Sequence, residues 1–135
     1  MSRIIGENIK NQLIIEDKIG GGVITLYYES ASAPERIAYK SSLWQREGDK
    51  LKSRLTEARQ EWGLKKMLGF KEGDFKFKIG DEPKIISSDP NSANYDPSWK
   101  DLISKYAPDV LEALAEHIFE AAPAFASQEG YTEKN

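Results

Sequence analysis

Residues 37–62, IAYKSSLWQREGDKLKSRLTEARQEW, decide how the chain is read. Ile37, Trp44, Leu51 and Ala58 recur every seven residues, and Ser41, Gly48, Leu55 and Trp62 form an interleaved series four residues later, the spacing of one face of an α-helix. Upstream, Ser32-Ala33-Pro34-Glu35 is a helix start: a hydroxyl N-cap, a proline close to the first helical position and an acid in the first turn. The pattern predicts one long helix from about Pro34 to Leu68-Gly69, with Ile37, Trp44, Leu51, Leu55 and Trp62 on its buried seam. Gly48 lies on that seam and costs about 1 kcal/mol against alanine in a helix, so Glu47-Gly48-Asp49 is either a bend within one helix or a break between two.

Strand signals lie on both sides. Asn11–Asp17 and Val23–Ser30 are short runs rich in β-branched and aromatic residues, joined across Gly20-Gly21-Gly22, which supply the positive φ of a tight turn. A phosphate-cradling loop would lead from a strand into a helix; these glycines lead into a second strand, so a hairpin is the better reading. Phe75–Lys78 and Lys84–Ile86 flank Gly80 as a second hairpin. Ser87–Pro97 is rich in turn formers and reads as a surface loop. Ser98 with Asp101 has capping-box spacing, and opens a helix with Trp99, Leu102, Ile103 and Tyr106 on one face. Pro108-Asp109 opens another, whose apolar face runs through Val110, Leu111, Leu114, Ala115, Ile118, Phe119 and Ala122. The expected fold class is α+β: a single domain over 1–135, a long central helix, two short β-hairpins and two C-terminal helices, with residues 1–8 and 127–135 frayed.

A chain of 135 residues that is 39% hydrophobic and 30% charged, with five Phe, six Tyr and three Trp, suits a globular domain, and its N-terminus lacks the long apolar stretch of a signal peptide. A cytoplasmic location, away from membranes, is expected. With no cysteine and one histidine, His117, there is no disulfide, no cysteine-based metal site and no thiol nucleophile. His117 reads as a surface residue of an acidic helix, and paired acids such as Glu116 and Glu120 as solvated carboxylates. No enzymatic activity, cofactor or metal is expected.

Charge is unevenly placed along this chain of net charge −3: residues 1–34 carry −1, 35–78 carry +5 and 79–135 carry −7. Opposite blocks can neutralise one another within a molecule or between copies, and a homo-oligomer is expected. Arg46, Lys50, Arg54 and Arg59, close to Trp44 and Trp62, make a possible nucleic-acid surface. Interleaved acids and an acidic isoelectric point, about 5.3, make that the secondary reading.

The order of motifs resembles small prophage-encoded proteins of the tail modules of long-tailed phages, tail assembly chaperones in particular. The likeness runs from about Ile14 to Phe119: Thr25-Leu26-Tyr27-Tyr28; Pro34-Glu35-Arg36-Ile37-Ala38-Tyr39; Leu68-Gly69-Phe70 with Glu72-Gly73-Asp74-Phe75; Trp99-Lys100-Asp101-Leu102-Ile103; Tyr106-Ala107-Pro108-Asp109; and Leu114-Ala115-Glu116-His117-Ile118-Phe119. The resemblance implies a non-enzymatic, mostly helical protein of the bacterial host cytoplasm. Such a protein coats the long helical tape-measure protein during tail assembly and is absent from the finished particle; no catalytic residues come with it. Tail terminators and head–tail connectors are alternatives of similar size and acidity. Tyr39, Leu43, Phe119 and Phe125, placed off the main seam, are the expected anchors for the client.

Overall fold

The computed structural model describes residues 10–120; the ends expected to fray, and Phe125 and Ala122, lie outside them. The elements are β1 (Lys10–Asp17), β2 (Gly22–Glu29), α1 (Ala33–Ser42), β3 (Trp44–Glu47), β4 (Lys50–Ser53), α2 (Leu55–Lys66), β5 (Met67–Phe70), β6 (Lys76–Ile79), β7 (Glu82–Ile85), α3 (Trp99–Tyr106), α4 (Pro108–Ala115) and a π-helical turn at Glu116–Glu120. The α+β class and the hairpins β1–β2 and β6–β7 stand as expected from sequence.

The long central helix does not exist. Its first part is α1, capped as the sequence predicted: the Ser32 hydroxyl accepts the Glu35 N–H, and the Glu35 carboxylate accepts the Ser32 N–H in return. The chain then reverses through the antiparallel hairpin β3–β4 and resumes as α2. Ile37, Trp44 and Leu51 of the supposed seam are exposed, at 66%, 56% and 62%. Leu55 and Trp62 are half-buried, and Ala58 is buried.

After α2 the chain enters β5, which completes a three-stranded antiparallel sheet in the order β1-β2-β5. Met67, Gly69 and Phe70 are buried, so this segment is a strand where the sequence suggested a helix end and a turn. The Ser88 hydroxyl, on the 87–97 loop, accepts the Phe70 N–H at 3.0 Å and so fixes the loop against β5.

The core lies between the sheet and the helices. Ile24, Leu26, Met67 and Phe70 from the sheet meet Ile103, Leu111, Leu114 and Ala115 from α3 and α4, all of them buried. The apolar face predicted for α4 is the buried one. Of the α3 face, Trp99 and Ile103 are buried, Leu102 is half-buried and Tyr106 is exposed. The capping box expected at Ser98 does not form: no Ser98 side-chain cap is made, and its N–H instead goes to Asp96 Oδ1 at 2.8 Å. Lys100 Nζ donates to the Leu64 carbonyl at 3.0 Å, one of the last acceptors of α2, and burial holds this ammonium below its ordinary pKa.

Candidate functional site

Only two residues, Gly48 and Asp49, separate the β3–β4 ladder, which pairs Trp44 with Ser53, Gln45 with Lys52, Arg46 with Leu51 and Glu47 with Lys50. Gly48 has φ +61° while Asp49, like every other non-glycine among the described residues, does not have a positive φ, which is the signature of a type II′ turn, the form whose twist matches a two-stranded ribbon. At the base of the ribbon the Arg54 N–H donates to the Leu43 carbonyl at 2.7 Å.

Opposed residues in an antiparallel pair share a face. One face of the ribbon therefore carries Trp44, Arg46, Leu51 and Ser53; the other carries Gln45, Glu47, Lys50 and Lys52. All eight are exposed. The Lys52–Glu47 ion pair, at 3.8 Å between two well-solvated side chains, adds little. A two-stranded ribbon with neither face buried is marginally stable on its own. Trp44 and Arg46 on one open face are residue types that carry binding energy at protein interfaces, and Leu51 beside them adds exposed apolar surface.

Of the anchors expected from sequence, Tyr39, Leu43 and Phe119 lie away from this ribbon face. Tyr39 is 1% exposed and its ring stacks on Phe119 at 4.3 Å, with Trp62 edge-on to both. Tyr39 and Phe119 thus have the core duty that the helical reading denied them, because α1 packs inward once the supposed seam is broken at β3. Leu43 is half-buried against the same core.

The four cations proposed for nucleic acid are dispersed. Arg59 binds Glu120 through Nε and one terminal nitrogen, at 2.9 and 2.6 Å, and Glu116 through the other at 3.2 Å. Arg54 sits 3.4 Å from Glu61. Arg46 and Lys50 have no ion-pair partner among the described residues, but they occupy opposite faces of the ribbon.

Behind these residues a polar network ties the π-helical turn to the body. The Tyr39 hydroxyl donates to Glu120, which also receives Arg59. Arg59 holds the Glu120 carboxyl below its ordinary pKa, while burial and the adjacent carboxylate hold the Tyr39 hydroxyl well above its own. Arg36 donates to the Ile118 carbonyl at 2.9 Å, and His117, exposed as expected, lies 3.0 Å from the Tyr28 hydroxyl. Glu116 and Glu120, read from sequence as merely solvated, are both engaged by Arg59.

The same turn borders an open cleft of about 490 Å³ lined by Leu13, Ile15, Ala113, Glu116, His117 and Glu120. No group of three metal-ligating side chains gathers among the described residues. A buried lysine, Lys66, which the sequence did not single out, is 3% exposed and holds Glu35 at 3.0 Å and Glu29 at 3.3 Å, joining α1, α2 and β2.

Comparison with protein-family models, with curated proteins and with solved structures finds no match to this chain. The arrangement is that of a small α+β domain bearing an exposed ribbon; no helix among the described residues is long and apolar enough to cross a membrane.

Proposed function

We propose that the chain is a non-enzymatic binding protein of phage tail morphogenesis, an assembly chaperone that receives a long helical client such as a tape-measure protein on the Trp44/Arg46/Leu51 face of the β3–β4 ribbon. The observation that carries the binding role is the joint exposure of Trp44 and Leu51 on a ribbon face that the domain core leaves uncovered. A large apolar side chain held in water at the end of an otherwise well-packed domain favours association, and an amphipathic helix with an apolar stripe fits such a face. The phage assignment rests on the motif order from Thr25 to Phe119 and the nature of the client follows from it.

Co-expression tests this reading. A tape-measure protein that aggregates alone stays soluble with the wild-type chain, and Trp44→Glu or Leu51→Glu abolishes the effect while the circular dichroism of the variant is unchanged. Retained solubilisation by both variants refutes the ribbon as the client surface. Nucleic acid is the second reading, favoured by Arg46 beside the exposed Trp44 ring on one ribbon face, a cation for a phosphate next to a ring for a base. DNA affinity that collapses between about 50 and 200 mM salt and is weakened by Arg46→Ala supports it instead. Presence of the chain in purified particles points to a tail terminator or connector.

A further inference from the structure

β1 is an eight-residue strand at the edge of its sheet, with β2 on one side and no strand on the other among the described residues. No described element covers the central residues Leu13–Ile15 along that edge. The cleft at Leu13, Ile15 and Ala113 continues into a second, of about 310 Å³, that shares Ile15 and Ala113 with it; between β1 and α4 the floor of this groove is apolar, and its borders are charged, with Glu116 and Glu120 at one end and Glu16, Asp17, Lys18 and Asp109 at the other. On the outer face Ile14 is 62% exposed. Edge strands of folded domains are ordinarily short, bulged or charged where they face water; β1 is regular in its pairing with β2 and apolar at its centre.

The sequence of β1 selects its occupant. We propose that β1 pairs antiparallel with β1 of a second copy of this chain, joining two three-stranded sheets into one of six strands. A two-fold axis perpendicular to the sheet keeps both cores on the same side and pairs residues of equal parity. Among such registers, the one centred on Ile14 sets Ile14 against Ile14, Leu13 against Ile15 and Gln12 against Glu16. Apolar then meets apolar and amide meets carboxylate at each of these positions. Centring on Leu13 sets Gln12 against Ile14, and centring on Ile15 sets Ile14 against Glu16 and Leu13 against Asp17. In the favoured register the partner's Leu13 and Ile15 extend over the groove that the first copy leaves open, and the reverse holds by symmetry.

This interface is independent of the β3–β4 ribbon and of the client, and its centre, Leu13–Ile15 of both copies, is apolar, unlike a head-to-tail contact between the basic and acidic blocks. The test uses the full chain in sedimentation velocity at 1–100 μM (roughly the range in which such contacts are populated) at low and high salt. A dimer that persists at high salt is expected, and Ile14→Lys, at a solvated position of the monomer, weakens it at least tenfold with unchanged circular dichroism. Because the chain has no cysteine of its own, Ile14→Cys places one thiol from each copy at the axis. Mild oxidation then gives a disulfide dimer at least tenfold faster than the exposed control Leu51→Cys. A monomer throughout the concentration range, a dimer that dissolves with salt, or equal rates for the two cysteine variants each overturns the proposal, including the case in which residues outside 10–120 occupy the groove.

Discussion

Gly63 of α2 lies against the Leu111 backbone of α4. A Cβ built on it falls 2.1 Å from the Leu111 carbonyl oxygen, against 3.4 Å for the start of ordinary contact, so Gly63→Ala must part the two helices by about 1.3 Å there. Two effects oppose each other. Alanine improves the helix by about 1 kcal/mol. Opening the contact opposes it with about 4 kcal/mol, above the usual 1–3 for overpacking, because the obstacle is backbone and because Leu111, Leu114 and Ala58, all buried, lose contacts across the gap. The net loss is about 3 kcal/mol, or a fall in Tm of about 12 °C at roughly 4 °C per kcal/mol for a chain of this size. Thermal and urea unfolding followed by circular dichroism read it directly, with Glu57→Ala, exposed on the same helix, as a control that stays within about 0.5 kcal/mol. A Gly63→Ala protein as stable as wild type would mean that helix propensity wins and that the backbones of α2 and α4 do not touch.

Replacing Lys66 by methionine keeps the buried stem but leaves the Glu29 and Glu35 carboxylates without their shared cation; because both are about a third solvent-exposed, urea unfolding should show a loss of about 1–2 kcal/mol, short of the roughly 3–5 of a fully buried charge left unpaired. Lys66→Glu, which crowds a third carboxylate against Glu29 and Glu35, should cost more than about 3 kcal/mol in the same measurement. Stability should fall as pH drops below about 4.5: Glu120, held down by Arg59, and Glu35, held down first by the Ser32 N–H, stay ionised in the folded chain after their unfolded counterparts have taken up protons. Their contribution is complete above the unfolded value and is lost as pH falls through the folded ones; Tm measured from pH 7 to 3 should show this, with a shallower decline in Glu120→Gln.

The parts of the fold that local chemistry determines were legible. The glycines at 20–22, the cap at Ser32 and the apolar face of α4 are each specified by neighbours in sequence. The seven-residue seam misled for a definite reason. In a hairpin with a two-residue turn at Gly48-Asp49, Arg46 opposes Leu51, and Trp44 shares their face. Residues 44 and 51, seven apart, therefore lie together on a ribbon as they would on a helix. Four-residue strands are too short for a period of two to overrule that coincidence. The decisive residue was Gly48, unfavourable in a helix and suited to φ +61° in the turn. β5 was missed because Met67–Phe70 is a strand only by virtue of the β2 edge it meets, and the Tyr39–Glu120–Arg59 network because its members are 20 to 81 residues apart. As for the candidate site, Trp44, Arg46 and Leu51 were noticed, the first and last as core; only the turn turns them outward.

Hydrogen–deuterium exchange tests the central claim, that the β3–β4 ribbon receives the client. Free, this two-stranded ribbon with both faces solvated should exchange rapidly. On addition of a soluble helical segment of a tape-measure protein, the amides of residues 44–53 should slow at least tenfold, while those of α4, already in the core, should not change. Protection confined to other elements, with 44–53 exchanging as fast as in the free chain, would contradict the account.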